Sequence, residues 1–184
     1  PEPERPVNMT TMARRFNRLI ALALSLPEDH FDAHFESPTT WLRLLFYPQQ
    51  VLDSTNDQYG SAPHTDHGFL TFLAQDSIGG LEVRTFDGNW ISAPPIPSTF
   101  VVNVADMLSR WTNNRWPSTP HRVRNTSGAA RYSIPFFWDT HLDCIVEPLP
   151  AFCNSDNPAQ FAPVRYGDYV LEKLGTNYSY RQSD

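Results

Sequence analysis

The alternation of short β-prone runs with turn segments is the feature that most limits how this chain can fold. Between positions 40 and 138, runs rich in β-branched and aromatic residues are separated by segments of Gly, Pro, Asn and Asp. There are about seven or eight such runs, with no amphipathic helix between successive runs, which excludes a doubly wound parallel sheet. The pattern is typical of an antiparallel double sheet. We therefore expect a mainly β fold, a double-stranded β-helix (jelly roll), with flanking helices.

The individual strands can be placed by their composition and by the turns that bound them. A strand is predicted over residues 41–47, ending at Pro48, and a polar loop follows over 49–62. The Asp87-Gly88 dipeptide predicts a hairpin turn between strands 81–86 and 89–93. Pro135 lies inside a predicted strand, so an edge position or a bulge is expected there. The remaining strands are expected at 62–73, 99–104, 121–124 and 131–138.

Helices are predicted at both ends of the chain. Asn8 or Thr10 can cap a helix that extends to about residue 26, because its apolar residues recur at spacings of three and four. A short helical turn follows Pro27, and a last helix covers about 166–174, with Leu174 among its inward residues. Residues 1–7 are interpreted as a linker. The domains expected are a helical N-terminal support over 1–39 and a jelly-roll domain over 40–184.

Composition narrows the classes of partner and compartment. The net charge is -6 and no basic stripe is present, which argues against nucleic acid as the main partner. No apolar run approaches the length of a membrane span. Two cysteines, Cys144 and Cys153, are too few for a disulfide framework, and we expect two reduced thiols and a cytoplasmic location. The oligomeric state is not predicted by any of these patterns.

A candidate metal site begins within residues 62–73. In an extended strand, residues i and i+2 point to the same side, so His64 and Asp66 are expected side by side. The same geometry places His67 on the opposite face and excludes it as a ligand. His121, at the start of a later predicted strand, is the candidate third ligand. Two imidazoles and one carboxylate form the facial triad that binds non-heme Fe(II).

These residues, followed by Arg131-X-Ser133, resemble the signature of the Fe(II)/2-oxoglutarate-dependent dioxygenases, in the branch that includes isopenicillin N synthase. The resemblance extends over 42–174 and includes the segments LRLLFYP (42–48), GGLEV (79–83) and VVNVAD (101–106). It implies an enzyme that binds Fe(II), 2-oxoglutarate and O2 and oxidises a small molecule, most often by hydroxylation, with release of succinate and CO2.

The resemblance also implies a role for each site residue. His64, Asp66 and His121 would bind the iron. The Arg131 guanidinium would hold the distal carboxylate of 2-oxoglutarate in a bidentate manner, assisted by Ser133 and Tyr47. Substrate contact is expected at Phe137, on the same strand face, whereas core packing is favoured for Asn103 and Trp111. Arg122 and Arg124 are expected to face away from the iron.

The sequence departs from the family pattern at two places, and two alternative functions also stay open. Plant relatives often carry Asn where this chain has Leu45, and relatives usually carry a longer region before the first helix. One alternative is an iron oxidase that needs no 2-oxoglutarate and uses Arg-X-Ser to hold a substrate carboxylate. A less favoured alternative is a jelly-roll binding protein without catalysis.

Overall fold

The computed structural model describes residues 8–49 and 59–177. The predicted linker 1–7 and most of the predicted loop 49–62 lie outside these residues. Helix α1 covers Met9–Ala23, capped by Asn8, whose side chain accepts a hydrogen bond from the Thr10 amide at 3.0 Å. It ends before the predicted residue 26 because Ser25 adopts a left-handed conformation (φ 60°). A 3-10 turn, Asp32–Phe35, follows at the predicted place.

Two antiparallel sheets confirm the predicted jelly roll. The larger sheet contains β1 (Thr39–Leu42), β2 (Leu45–Tyr47), β4 (Leu70–Gln75), β7 (Val101–Val104) and β9 (Arg131–Asp139). Its strand order is β1-β9-β4-β7, with β2 also paired to β9. The smaller sheet contains β3 (Ser61–His64), β5 (Leu81–Arg84), β6 (Trp90–Ser92) and β8 (His121–Val123). Its strand order is β3-β8-β5-β6.

Pro135 lies in a central strand, which corrects the expectation of an edge or a bulge. Strand β9 runs between β1/β2 and β4, and Pro135 pairs with Leu73 of β4. On the other side, the Arg43 amide donates to the Pro135 carbonyl at 3.1 Å. Pro135 has no N–H to return that bond, so the predicted strand 41–47 is interrupted between β1 and β2 while its register continues.

The remaining elements complete the domain at one end. The hairpin turn at Asp87-Gly88 lies where predicted, and helix α2 covers Asp106–Trp111. A two-stranded ladder was not predicted; it consists of β10 (Ile145–Val146) and β11 (Val164–Arg165). Helix α3 covers Tyr166–Asn177, and Tyr166 and Gly167 at its start are buried. Leu174, expected to point inward, is 41% exposed. Leu174 lies at the start of the last turn and lines a cavity.

The main core lies between α1 and the outer face of the larger sheet. Phe16 of α1 packs edge-on against Phe72 with ring centroids 5.1 Å apart, and Trp138 donates from its indole nitrogen to Asn17 at 2.8 Å. These contacts fix the larger sheet from behind and leave its inner face to line a cavity. Both cysteines carry free thiols. None of the helices in the described ranges is long and apolar enough to cross a membrane.

Candidate metal centre

Three side chains with metal-binding atoms meet where β3 and β8 pair. His64 is the last residue of β3 and lies directly opposite His121, the first residue of β8, with ring centroids 4.4 Å apart. Asp66 Oδ1 is 4.0 Å from His64 Nε2 and 3.7 Å from His121 Nε2. One ligand atom from each residue lies within 4.8 Å of the others, and this is the only such group of three found in residues 8–49 and 59–177.

The predicted neighbours are therefore brought together, although the geometric reason given for His64 and Asp66 was wrong. Strand β3 ends at His64, so Asp66 does not share a strand face with it but lies in a turn that leads to β4. This turn is held from outside: the Asp106 amide donates to the Asp66 carbonyl at 2.9 Å, and the Met107 amide donates to the Gly68 carbonyl at 2.7 Å. The N-terminus of α2 thus fixes the position of the carboxylate.

The two imidazoles present the same nitrogen towards the carboxylate. His64 Nδ1 lies 2.7 Å from the Ala62 carbonyl, and His121 Nδ1 lies 3.1 Å from the Thr119 carbonyl. A carbonyl only accepts, so each Nδ1 carries the proton and each Nε2 keeps its lone pair. Burial, together with the nearby His121, lowers the pKa of His64 below its ordinary value, which favours the neutral form that binds metals.

The donor set fits a divalent metal ion such as Fe(II). Asp66 is 6% exposed, and its Oδ2 is buried with no hydrogen-bond partner among the described residues. A buried carboxylate oxygen without a partner is unfavourable unless a cation satisfies it. Two imidazole nitrogens and one carboxylate from one side of an ion leave further coordination positions open, as in non-heme iron oxygenases.

His67 lies outside this group, as expected, but for a different reason than its strand face. It belongs to the turn after Asp66, and its Nδ1 lies 3.7 Å from Asp106 Oδ2. Asp106 also accepts a hydrogen bond from the Tyr169 hydroxyl at 2.7 Å. Although burial acts to raise the pKa of Asp106, hydrogen bonds from several side chains, those of His67 and Tyr169 among them, hold it below its ordinary value. His67 therefore pairs with a carboxylate of α2.

A second buried carboxyl supports the turn and was missed in the sequence. Asp139, at the end of β9, accepts a hydrogen bond from the Phe69 amide at 3.2 Å. A Cβ placed on Gly68 would approach Asp139 Oδ1 to 1.4 Å, so position 68 admits only glycine while Asp139 stays in place. Burial raises the pKa of Asp139 to about 7, and hydrogen bonds from Tyr166 and Phe69 counteract part of this. No local signal links residues so far apart in the chain.

The predicted 2-oxoglutarate residues share the inner face of the larger sheet. Arg131 on β9 is fully buried, and its Nη1 donates to Ser133 Oγ at 3.3 Å. Tyr47 pairs with Arg131 across β2 and β9, and its ring lies 4.9 Å from the guanidinium carbon. Arg131 Nη2 donates to Gln75 Oε1 at 3.0 Å, a contact that sequence reasoning missed. The sequence signal for this contact was the alternation of Thr71, Leu73 and Gln75 along the strand, which places the polar Gln75 on the same inward face as the other two.

A cavity of about 260 Å³ joins these residues to the three candidate ligands. Phe137 lines it, as does Asn103, for which core packing was expected; Trp111 is buried in the main core as predicted. Leu45 faces this cavity with an apolar side chain. Arg122 lies outside it, paired with Glu82 at 2.5 Å.

A second cavity of about 280 Å³ also borders the candidate ligands. It shares Arg43, His64, Asp66 and Phe137 with the first cavity. Trp41 and residues of α3, among them Val170, supply much of its apolar surface. A molecule in this cavity would contact both the metal centre and Phe137.

Comparison with known families identifies this arrangement. Residues 38–140 match the 2OG-Fe(II) oxygenase superfamily. This span contains all three candidate metal ligands together with Arg131, Ser133, Tyr47 and Phe137.

Individual relatives are similar over nearly the whole chain. The 2-oxoglutarate-Fe(II) type oxidoreductase ppzC of Metarhizium majus is 39% identical over 89% of this chain and 46% of its own length. Homoarginine-6-hydroxylase 2-ODD-233 of Oryza sativa is 39% identical over 91% of this chain and 52% of its own length. The chain thus spans about half the length of these curated relatives.

A solved structure shows the same fold. A full-length Neurospora crassa protein, crystallised in complex with alpha-KG and thymine, superimposes with a TM-score of 0.84 at 31% identity. The superposition covers 92% of this chain and 54% of the Neurospora crassa chain.

Proposed function

We propose that this chain, which belongs to the 2OG-Fe(II) oxygenase superfamily, carries the metal and cosubstrate sites of an enzyme that hydroxylates a small molecule. In this proposal the enzyme uses Fe(II), 2-oxoglutarate and O2 and releases succinate and CO2. The observation that carries the proposal is the joint presence, around one cavity, of the three clustered donors and a fully buried arginine. The three clustered donors fit a divalent cation, and the buried arginine fits an anionic ligand.

His64, Asp66 and His121 would hold the iron. The Nε2 atoms of the two histidines and the unpartnered Oδ2 of Asp66 are the available donors. The carbonyls of Ala62 and Thr119 keep both imidazole rings in the required tautomer. Iron with 2-oxoglutarate and O2 supplies the oxidising power: decarboxylation of the 2-oxo acid to succinate is coupled to insertion of one oxygen atom into a C–H bond of the substrate.

Arg131 would orient the cosubstrate. Residues 8–49 and 59–177 place no carboxylate in an ion pair with this guanidinium, so its charge is available to the distal carboxylate of 2-oxoglutarate. The burial of Arg131 strengthens this attraction and excludes competing water. Ser133 Oγ lies beside it and can donate to the same carboxylate.

Phe137 is proposed as a substrate contact because it lines both cavities next to the candidate ligands. The second cavity, which Arg43 lines together with the apolar wall, would receive the substrate. Solved relatives bind small molecules such as thymine, which supports a small-molecule substrate here. We also propose a cytoplasmic location and the two-part domain division at residues 39 and 40, in line with the sequence.

The function is tested by succinate release in the presence of Fe(II), 2-oxoglutarate and O2 across a substrate library of nucleobases, amino acids, peptides and aromatic acids. We expect succinate release above the substrate-free rate with at least one compound. Anaerobic titration calorimetry of the Fe(II) protein should detect 2-oxoglutarate binding. Absence of that binding would favour the alternative oxidase, in which Arg131 holds a substrate carboxylate.

A pair of histidine variants tests the metal ligands. His64→Ala should weaken Fe(II) binding by more than about a hundredfold. Substituting residues that only hydrogen-bond to a metal ligand already lowers metal affinity by about ten- to a hundredfold. His67→Ala removes a neighbouring imidazole that faces Asp106, and it should change Fe(II) affinity far less. Equal effects of the two substitutions would contradict the assignment.

A further inference from the structure

The guanidinium of Arg131 is held by neutral groups. Its described contacts are the Ser133 hydroxyl, the Gln75 side-chain carbonyl and the ring of Tyr47. Its Nε is buried and has no hydrogen-bond partner in the described part of the chain. Two of its five N–H groups are therefore directed to protein oxygens, while the positive charge is left without a counter-charge from those residues.

Gln75 is in place to fix the orientation of that guanidinium. It is the last residue of β4 and pairs directly with Ser133 of β9, so its side chain shares the inner face with Arg131. Its Nε2 donates to the Ala93 carbonyl at 3.4 Å, and its Oε1 accepts from Arg131 Nη2. Because Nε2 can only donate and Oε1 can only accept, each partner fixes the same orientation of the amide.

The backbone beneath Gln75 is also held. The next residue, Asp76, accepts hydrogen bonds from the Tyr132 and Ile78 amides at 2.5 and 3.0 Å. The Asp76 amide donates in return to the Tyr132 carbonyl at 3.3 Å. The end of β4 is thus tied to β9 next to Arg131, and the Gln75 amide is presented from a fixed point.

We propose that Gln75 is a positioning residue for cosubstrate binding. By engaging Nη2 it prevents rotation of the guanidinium, so that the remaining N–H groups stay aligned for a bidentate carboxylate. Its neutrality is part of this role, because a carboxylate at position 75 would neutralise the charge that attracts the ligand. The inference deepens the proposed function and rests on it.

Two substitutions at position 75 test this role by anaerobic calorimetry of the Fe(II)-loaded protein. Gln75→Met removes the acceptor at similar length and should weaken 2-oxoglutarate binding about tenfold, the effect of one hydrogen bond to a charged group. The nearly isosteric Gln75→Glu keeps an acceptor but adds an anion against Arg131, and it should weaken binding by a larger factor than Gln75→Met.

A second ligand separates positioning from general damage to the site. 2-Oxovalerate has the 2-oxo acid group of 2-oxoglutarate but no distal carboxylate. Its affinity should change by less than about twofold in both variants, because no charged hydrogen bond to Arg131 is at stake. Asn89→Asp, which introduces the same charge change on an exposed residue of the β5–β6 hairpin, should leave the binding of both ligands unchanged.

Three results would overturn the inference. One is binding of 2-oxoglutarate by Gln75→Met as tight as by the original protein, and another is a stronger complex with Gln75→Glu. An equal loss of both ligands would show that Gln75 only supports the fold. If the unsubstituted protein binds no 2-oxoglutarate, the proposed function fails first and this inference with it.

Discussion

Replacing Arg131 by methionine should abolish 2-oxoglutarate binding without destabilising the ligand-free protein. The guanidinium is 0% exposed and has no carboxylate partner among the described residues. Burying such a charge costs several kcal/mol. The Tyr47 ring and the two neutral acceptors offset about 3 kcal/mol of this. Methionine has a similar length and needs no partner, so Arg131→Met should leave the free energy of unfolding unchanged or raise it by up to about 2 kcal/mol.

The assay is urea unfolding of the Fe(II) protein under anaerobic conditions, with and without 2-oxoglutarate. At a ligand concentration of about 100 times its Kd, the unsubstituted protein should gain about 2.7 kcal/mol. Arg131→Met should gain nothing at the same concentration. The unsubstituted protein should therefore be the more stable of the two when the ligand is present, although it is not the more stable one without ligand.

Arg122→Met is the matched control, because Arg122 is also a strand arginine but has an ionic partner. It pairs with Glu82 at 2.5 Å and lies 4.1 Å from the centre of the Trp90 ring. Its removal should lower the free energy of unfolding by about 1–3 kcal/mol with or without ligand, since Glu82 is left unpaired. A comparable decrease in the free energy of unfolding of ligand-free Arg131→Met would refute the view that the Arg131 charge is left unpaired to bind an external anion.

Three further substitutions test the surroundings of the site. Gly68→Ala places a Cβ 1.4 Å from Asp139 Oδ1, so chemical denaturation should show a loss of more than about 2 kcal/mol. The pKa of Asp139 is raised from 3.8 to about 7, so the folded state binds the proton more tightly than the unfolded chain. Stability should therefore fall by up to about 4 kcal/mol as the pH rises from about 4 to about 7, and unfolding of Asp139→Asn at several pH values should lack this slope. Phe137→Ala should raise the KM of the substrate while calorimetry shows unchanged 2-oxoglutarate affinity.

The parts of the site that follow from the period of a strand were predictable. Arg131 and Ser133 are two residues apart on β9, and both contribute to one face, as the alternation of side chains requires. His64 and Asp66 met for another reason. Strand β3 ends at His64, and the proximity of Asp66 to His64 depends on the hydrogen bond from the Asp106 amide to the Asp66 carbonyl. That contact joins two segments whose proximity is a property of the whole fold.

Features that arise from pairing between distant segments could not be predicted. Asp139 and Gly68 are each ordinary in their local sequence, and only the closure of β9 over the turn before β4 makes them interdependent. For Pro135, the prediction was an irregularity in β9, the strand that contains it. The irregularity instead occurs in the neighbouring strand, where the hydrogen-bond ladder with β9 is interrupted between β1 and β2, beside Arg43. The strands β10 and β11 are two residues long and carry too short a pattern to be recognised.

The spacing between His121 and Arg131 has a structural cause that joins the two halves of the site. His121 belongs to the smaller sheet and Arg131 to the larger one, so the chain must cross from one sheet to the other between them. Asn125 fixes this crossing, since its side-chain amide donates to the carbonyls of Ala129 at 2.8 Å and Pro48 at 3.2 Å. The second bond also ties the crossing to the end of β2, which carries Tyr47. The crossing must therefore be long enough to span the cavity. It must also be rigid enough to hold the Arg131 cation on one wall and the metal ligands on the other. For this reason His121 and Arg131 lie on two strands separated by a turn, and not on a single strand.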